Sequence, residues 1–362
     1  MNGFKNIYRD KTVLITGHTG FKGSWLSIWL HELGAKVIGY SLDPYTDKEN
    51  FVLSGLSKKI TDIRGDIRDF NKLKEVFHTY QPEFIFHLAA QPIVRLSYDI
   101  PVETYQINVM GTINVLECIR NTPSTKIGVF ITTDKCYENK EQIWGYKETD
   151  SLGGYDPYSS SKGAAEMAIN SWRQSFMNPK EYDKHGKAIA SVRAGNVIGG
   201  GDWAKDRIIP DCIRALEEER PIEIRNPKAI RPWEYVLEPL GGYLLLGQKM
   251  AEDPVQYSEA WNFGPHLESI VTVEEIVSIL IHCYGTGKIK DISDLEAVHE
   301  DKLLNLDISK AVLKLGWRPT LDINKALKYT AEWYKRYKKE DTYTLCVEQI
   351  NAFTQIDDYE KS

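Results

Sequence analysis

The sequence predicts an α/β fold in which a parallel sheet is covered on both faces by helices. Two observations carry this expectation. Apolar runs of strand length alternate with helical periodicity from residue 12 to residue 199, and a glycine-rich turn separates the first strand from the first helix. The runs are too uniformly apolar to be half-exposed strands, so they belong to a sheet buried on both sides. Such a doubly wound sheet binds ligands beyond the carboxyl ends of its strands.

TVLIT (12–16) is the first strand, and apolar spacing predicts a helix from about Ser24 to Leu33. KVIGYSL (36–42) is the second strand. After IRGDIRD (63–69) come a helix over 70–80 and the strand FIFHLAA (84–90). A long helix over 102–121 precedes IGVFITT (127–133), another helix begins near Tyr158, and AIASVRAGNVIG (188–199) supplies a further strand and loop. Past residue 200 the alternation breaks into a stretch rich in Gly, Pro, Arg and Trp, the composition of a lobe that closes over a ligand. VTVEEIVSILIHCYG and KALKYTAEWYKRYKKE have helical spacing, whereas the last twenty or so residues show no clear pattern. The expected division is a nucleotide-binding domain over 1–200, joined by some later segments, a smaller C-terminal α/β lobe over 201–345, and a tail over 346–362.

Composition narrows the function. Of 362 residues 42% are hydrophobic and 27% charged, enough for a large core in a soluble protein. The net charge of −6 and the lack of a basic block set aside nucleic acid and anionic membranes as partners. No apolar run approaches the roughly 20 residues of a membrane helix, and the N-terminus enters a strand with no signal-peptide core, so a cytoplasmic location is expected. Cys118, Cys136, Cys212, Cys283 and Cys346 are scattered, without C-x-x-C or H-x-x-x-H spacing. Neither a metal site nor a disulfide framework is expected.

Gly17, Gly20 and Gly23 lie between the first strand and its helix in a G-x-x-G-x-x-G pattern. This arrangement permits a tight turn, close approach of backbone to a pyrophosphate, and a helix N-terminus facing the anion. In that context it predicts dinucleotide binding. Within the loop, His18 and Lys22 are candidates to meet the cofactor phosphates. An acid about 20 residues past such a loop holds the adenosine ribose; Asp43 is that candidate, with Ser41 sharing the task. No arginine adjoins Asp43 in sequence to receive a 2′-phosphate, which favours NAD over NADP. Asp66 and Ile67 follow the third strand, where an adenine amino group is read; otherwise an Asp at a strand end is simply a turn former.

Tyr158 and Lys162 are four residues apart and share a helix face. An unperturbed tyrosine has a pKa of about 10, and a neighbouring ammonium favours the phenolate. The pair therefore suits proton removal from a sugar hydroxyl as hydride leaves for a nicotinamide. VFITTDKCYEN (129–139) places Thr133, Asp134, Lys135 and Tyr137 where an apolar strand stops. Taken alone that is a surface turn; downstream of a dinucleotide loop it is a candidate catalytic cluster.

Gly17–Gly23, HLAAQ (87–91), Asn108 in INVMGT, TTDKCY, Tyr158 with Lys162, and RAGNVIG together resemble the extended short-chain dehydrogenases/reductases that act on nucleotide sugars, over about residues 10–340. The resemblance implies a Rossmann-like NAD-binding domain and a nucleotide-sugar-binding lobe. It implies cofactor contacts from Gly17, His18, Thr19, Gly20, Phe21, Lys22, Gly23, Asp43, Asp66, Ile67, Leu88, Ala89, Ala90, Asn108, Tyr158 and Lys162. It also implies substrate contacts from Gln91, Asn196, Arg207 and Arg231, the arginines forking onto a diphosphate. Trp203 and Trp233 pack against sugar or base, or else in the core. In the dehydratases of this family Thr133 would bond the C4 oxygen and Asp134 would protonate the departing C6 hydroxyl, an acid that the epimerases lack. Those dehydratases carry Glu next, where this chain has Lys135. Lys135 then either removes the C5 proton itself or stabilises the enolate while another group takes the proton.

GHTGFKGSWL, TTDKCYEN and GNVIGGGDWAKDRIIPD carry a local likeness to members acting on CDP-glucose, whose products feed deoxyhexoses of bacterial surface polysaccharides such as O-antigen. The alternatives are another nucleotide-sugar 4,6-dehydratase, a 4-epimerase, or a non-catalytic dinucleotide sensor. Relatives pair through two long helices, so a homodimer or homotetramer built on the helices near 102–121 and 158–176 is expected.

Overall fold

A computed structural model describes residues 3–293 and 304–356. Parts of the expected lobe (294–303) and tail (357–362) lie outside the described residues. Six strands, β1 Thr12–Thr16, β2 Lys36–Ser41, β3 Thr61–Arg64, β4 Phe84–His87, β5 Ile127–Ile131 and β6 Ala188–Ala194, form a parallel sheet in the order β6-β5-β4-β1-β2-β3. Chain order reverses between β1 and β4, so the crevice above their carboxyl ends is the switch point where ligands of such sheets bind. The central strands are buried along their length, β4, β5 and β6 at every residue. That burial is why they read as unbroken apolar runs rather than alternating ones.

Helix α1 (Phe21–Glu32) starts three residues before the spacing suggested, because Gly20 is extended and Phe21 turns inward. Trp25, Leu26, Ile28, Trp29 and Leu30 are all buried, so α1 is covered on two sides. Helix α2 occupies Phe70–Tyr80, capped by the Asp69 side chain on the Lys72 amide. The expected long helix begins at Pro101: α3 (Pro101–Tyr105) passes through a wider π-turn, Gln106–Met110, into α4 (Gly111–Asn121). Helix α5 (Pro157–Ser175) starts on an Asp156 cap with Pro157 in its first turn.

The chain beyond residue 200 divides between the two units. β7 (Asn196–Ile198), β9 (Ile230–Tyr235) and β11 (Ile270–Thr272) make a three-stranded sheet, while β8 (Ile222–Ile224) pairs with β12 (Ile289–Asp291). Helices α6 (Ile208–Glu217) and α8 (Val273–Tyr284) pack with them. Helix α7 (Leu237–Glu252) instead lies against β5, buried along most of its length, and β10 (Ala260–Phe263) joins β6 as a seventh parallel strand. Helix α9 spans Ile323–Arg336. The stretch expected as a tail begins inside a further helix, α10 (Thr342–Ile356), which packs on α1 and sets Phe353 against Trp29 at 6.0 Å between ring centroids. Its pattern is obscure because Thr342 and Gln349 are buried beside Leu345, Ile350 and Phe353, blurring the polar face. No helix among the described residues is long and apolar enough to cross a membrane.

One buried cluster ties α5 to the strand ends. Glu166 accepts hydrogen bonds from Thr132 at the end of β5 (2.5 Å) and from Ser191 (2.8 Å) and Arg193 (2.7 Å) on β6. Arg193 also donates to the Tyr137 hydroxyl, which donates in turn to Asn262 on β10. Removing one partner of a buried pair strands the other without solvent. Glu166→Ala should therefore cost about 3–5 kcal/mol of stability, read as a lower urea midpoint with an unchanged m-value.

Candidate active site

The glycine loop is shaped by contacts that tolerate no side chain. Gly17 has φ +78°, and a Cβ there would lie 2.7 Å from the Ala89 amide nitrogen; one on Gly23 would lie 2.0 Å from the Gly17 carbonyl oxygen. Strand, loop and helix thus close on one another, leaving the backbone bare toward a crevice of about 680 Å³. The crevice runs from Ser41 and Asp43 past Gly20, Asp66, Ile67, Leu88, Ala89 and Ala90 to Thr133, Asp134, Lys135, Tyr158 and Lys162. Asn196, Arg207, Arg231 and Trp233 line its opposite side. A bare amide cradle at a helix N-terminus followed by a long polar-ended groove fits a dinucleotide such as NAD.

Several predicted cofactor residues sit elsewhere. His18 turns away from the crevice: it is buried under Gly39, where a Cβ would meet its ring at 2.3 Å, and its Nε2 bonds Asp62 at 2.8 Å. Lys22 contributes backbone to the cradle, but its ammonium stands over the Tyr243 ring at 5.9 Å, toward the sugar end rather than the phosphates. Asn108, on the π-turn, is buried and braces a loop, accepting from the Gln91 amide at 2.9 Å and donating to Ser161 at 2.9 Å. Gln91 spends its own side chain on Ile93 and Thr104, so it shapes the crevice wall without offering its amide group to a substrate.

At the adenosine end Asp43 is 86% exposed, and an arginine does stand beside it, contrary to the reading from sequence neighbours. Arg64 is 21 residues away in the chain but reaches Asp43 at 3.4 Å and Asp62 at 2.9 Å, since β2 and β3 are paired. Flanked by two carboxylates, it is compensated in charge. Asp66 is likewise held by Arg68, whose hydrogen bonds keep its carboxyl below the ordinary range. Thr19 shares a hydrogen bond with Ser41 (2.8 Å), pinning the loop to the end of β2.

The chemical end is the convergence of two strand-end elements. Thr133 caps a single 3₁₀ turn, Asp134–Cys136, and its hydroxyl donates to Asp134 at 2.9 Å. Tyr158, from the first turn of α5, adjoins the same Thr133 side chain. The phenol and the carboxyl thus lie on either side of one threonine. Burial pushes the Asp134 carboxyl up, and Lys135 pulls it partly back, which favours the protonated form needed by a general acid. Burial also pushes Tyr158 up to about 12, with Thr133 offsetting part of the rise. The expected depression by Lys162 is absent because that ammonium reaches the Ile131 carbonyl instead, at 3.4 Å, and burial draws it down to about 8. Arg207 is held at 2.9 Å by Asp202. Trp203 packs in the core against Tyr334 and Tyr337.

Two features escaped the sequence reading. Glu166, the i+4 neighbour of Lys162, is indistinguishable in sequence from a solvated helix residue. Glu234 in RPWEYV had a usable signal, since an acid between Trp233 and Tyr235 on a short strand has no water on either side; all three are buried.

The chain belongs to the GDP-mannose 4,6 dehydratase family, whose model matches residues 14–330. Among curated relatives it is 47% identical over 355 residues to the CDP-glucose 4,6-dehydratase of Salmonella typhimurium, covering 98% of each chain. It is 24% identical to the dTDP-glucose 4,6-dehydratase of Haemophilus influenzae, over 89% of this chain and 97% of that one. Among solved structures it resembles the dTDP-glucose 4,6-dehydratase of Bacillus anthracis in complex with NAD (TM-score 0.74, 21% identity, 92% and 99% covered). It also resembles the UDP-glucose 4-epimerase of Thermotoga maritima with UDP-glucose (TM-score 0.76, 23% identity, 91% and 100% covered), which shows the shared fold.

The convergence rests on close packing at Gly163, where a Cβ would lie 2.7 Å from the Gly153 carbonyl oxygen and 3.3 Å from that of Cys136. Gly163→Ala should push α5 off the Asp134 turn. The expected result is a fall in kcat of about 100-fold, the scale of a one-ångström misplacement, measured alongside a far-UV spectrum that stays native.

Proposed function

We propose that the chain is an NAD-dependent hydro-lyase that converts CDP-D-glucose to CDP-4-dehydro-6-deoxy-D-glucose. The observation that carries the reading is an acid, Asp134, bonded to a Thr133 hydroxyl that adjoins Tyr158, in a chain 47% identical to a CDP-glucose 4,6-dehydratase. An epimerase needs no acid for a leaving hydroxyl. NAD, when bound along the glycine cradle, supplies the hydride acceptor for C4 and the donor for C6, so no external reductant is consumed.

The side chains then divide the proton work. Bound NAD would bring a nicotinamide cation that favours the Tyr158 phenolate; as the phenolate, Tyr158 takes the C4 hydroxyl proton, with Thr133 holding the C4 oxygen in place. A ketone at C4 acidifies C5, and Lys135, which lines the crevice beside Asp134, removes that proton and later returns it. Asp134 gives its proton to the C6 hydroxyl, which leaves as water. Lys162, which lines the crevice beside Tyr158, would hold the nicotinamide ribose when NAD is bound. Asn196, Arg207 and Arg231 hold the diphosphate, where guanidinium forks suit paired phosphate oxygens.

Turnover of CDP-, dTDP-, UDP- and GDP-glucose, followed by alkali-dependent absorbance of the 4-keto sugar, should be fastest with CDP-glucose. A preference for another nucleotide assigns a different nucleotide-sugar dehydratase, a C4 epimer assigns an epimerase, and NAD binding without turnover assigns a sensor. Asp134→Asn should lower kcat by about 10²–10⁴-fold while C4 oxidation persists as NADH absorbance. In Lys135→Ala, deuterium exchange at C5 should vanish; wild-type exchange would leave Lys135 only as an enolate stabiliser.

Exposed apolar side chains on the two adjoining helical runs, Val102, Tyr105 and Met110 with Met167 and Phe176, support self-association through α3–α4 and α5. Sedimentation should give a dimer or tetramer, and charged substitutions at Val102 and Met167 should shift it to monomer.

A further inference from the structure

The reaction assigned above leaves a proton imbalance inside the site. Tyr158 gains one proton from the C4 hydroxyl, Asp134 loses one with the departing water, and Lys135 returns to C5 what it took. The gain and the loss cancel overall, but they fall on different groups. Asp134 must be reloaded before the next sugar can be dehydrated, and it is 3% exposed.

A second buried acid lies next to it. Glu234 on β9 is 2% exposed, and neither of its carboxyl oxygens has a hydrogen-bond partner. The Oδ2 atom of Asp134 is unpartnered too. Both acids adjoin Gly195, at the bend between β6 and β7. A Cβ on Gly195 would lie 3.2 Å from that Oδ2, while its amide is directed at Glu234, whose neighbour in the ladder is Val197. The groups facing Glu234 are Glu238 and Tyr243 from α7, Lys22 from α1 and Asp134 from the end of β5. The Tyr243 hydroxyl is buried without a partner, and the Lys22 ammonium stands over its ring. Unpartnered buried carboxyl oxygens normally destabilise a fold, so both of Glu234's and one of Asp134's around one glycine, with Lys22 nearby, point to a use.

We propose that Glu234, with Lys22 as its counter-charge, stores the proton that reloads Asp134 after each dehydration. The inference rests on the dehydratase reading. Glu234 in its acid form passes its proton to the Asp134 carboxylate, and the resulting Glu234 carboxylate is compensated by the Lys22 ammonium. Glu234 then takes up one proton from the cleft, matching the one that Tyr158 releases there, so no proton is created or lost. Burial, with Glu238 and Asp134 adding to it, holds the Glu234 carboxyl well above the ordinary range, while Lys22 pulls it back. Burial thus favours the acid form of Glu234, and the nearby Lys22 ammonium compensates the carboxylate left after transfer.

The test separates the first turnover from later ones. In Glu234→Gln with NAD bound, Asp134 starts protonated, so the first equivalent of CDP-4-dehydro-6-deoxyglucose should form within about twofold of the wild-type rate. The steady-state rate should then fall about 100-fold, the low end of the loss expected for a missing acid–base group. Independently of turnover, infrared difference spectra of the substrate-free protein should show a protonated buried carboxyl that Glu234→Gln lacks. A steady-state rate equal to wild type would show that Asp134 draws on solvent directly, and an equal loss in first and later turnovers would make Glu234 structural; either overturns the proposal. Should Glu234→Gln not fold, Glu234→Asp, whose carboxyl is drawn back by one methylene, is read in the same way, with the same burst expected and the same outcomes overturning it. A wild-type protein that forms no 4-keto sugar from any nucleotide sugar would instead overturn the dehydratase reading.

Discussion

Everything at the chemical end depends on how helix α5 is fixed to the ends of two strands. Glu166 grips Thr132 on one strand and Ser191 and Arg193 on the next, all out of water. Because α5 also carries Tyr158 and Lys162, one to two turns earlier, the clamp sets the distance from phenol to Asp134. A surface ion pair could not do this, since solvent screening and side-chain freedom leave it too soft. Buried, the same pair is weak as a source of net stability but strong as a source of register.

The polar groups of the site form a buried layer rather than a rim. Lys22, Asp134, Tyr158, Lys162 and Glu234 are packed between the parallel sheet and the lobe, and burial is the first cause of every shift among them. The acids are shifted toward their protonated form and the lysines toward neutrality. A sugar entering such a layer meets groups already poised to exchange protons rather than ions that must first be desolvated.

The parallel sheet was legible because β1, β2, β4, β5 and β6 are predominantly apolar, and the glycine loop because Gly17 and Gly23 are forced by backbone contacts. The candidate cluster of Thr133, Asp134 and Lys135 was legible as polar residue types where an apolar strand stops. What escaped depended on contacts between distant segments. Arg64 meets Asp43 only across a strand pair, Glu166 meets Arg193 only through the packing of α5, and His18 points inward because Gly39 leaves room for it. Helix α10 was hidden by buried polar residues, and the tyrosine argument failed at the lysine because four-residue spacing fixes a shared face but not where a long side chain ends.

β10 seals the edge of the sheet beside β6 with residues 260–263, although β6 ends at residue 194. On the ribosome, the nucleotide-binding unit emerges with that edge bare and stays so while some 60 further residues are made. An unpaired strand edge is a template for pairing with other chains, and the delay lengthens its exposure. The intervening lobe, threaded between two neighbouring strands, therefore ties completion of the first unit to synthesis of the second, and a nascent chain cut short within it is left with an adhesive flank.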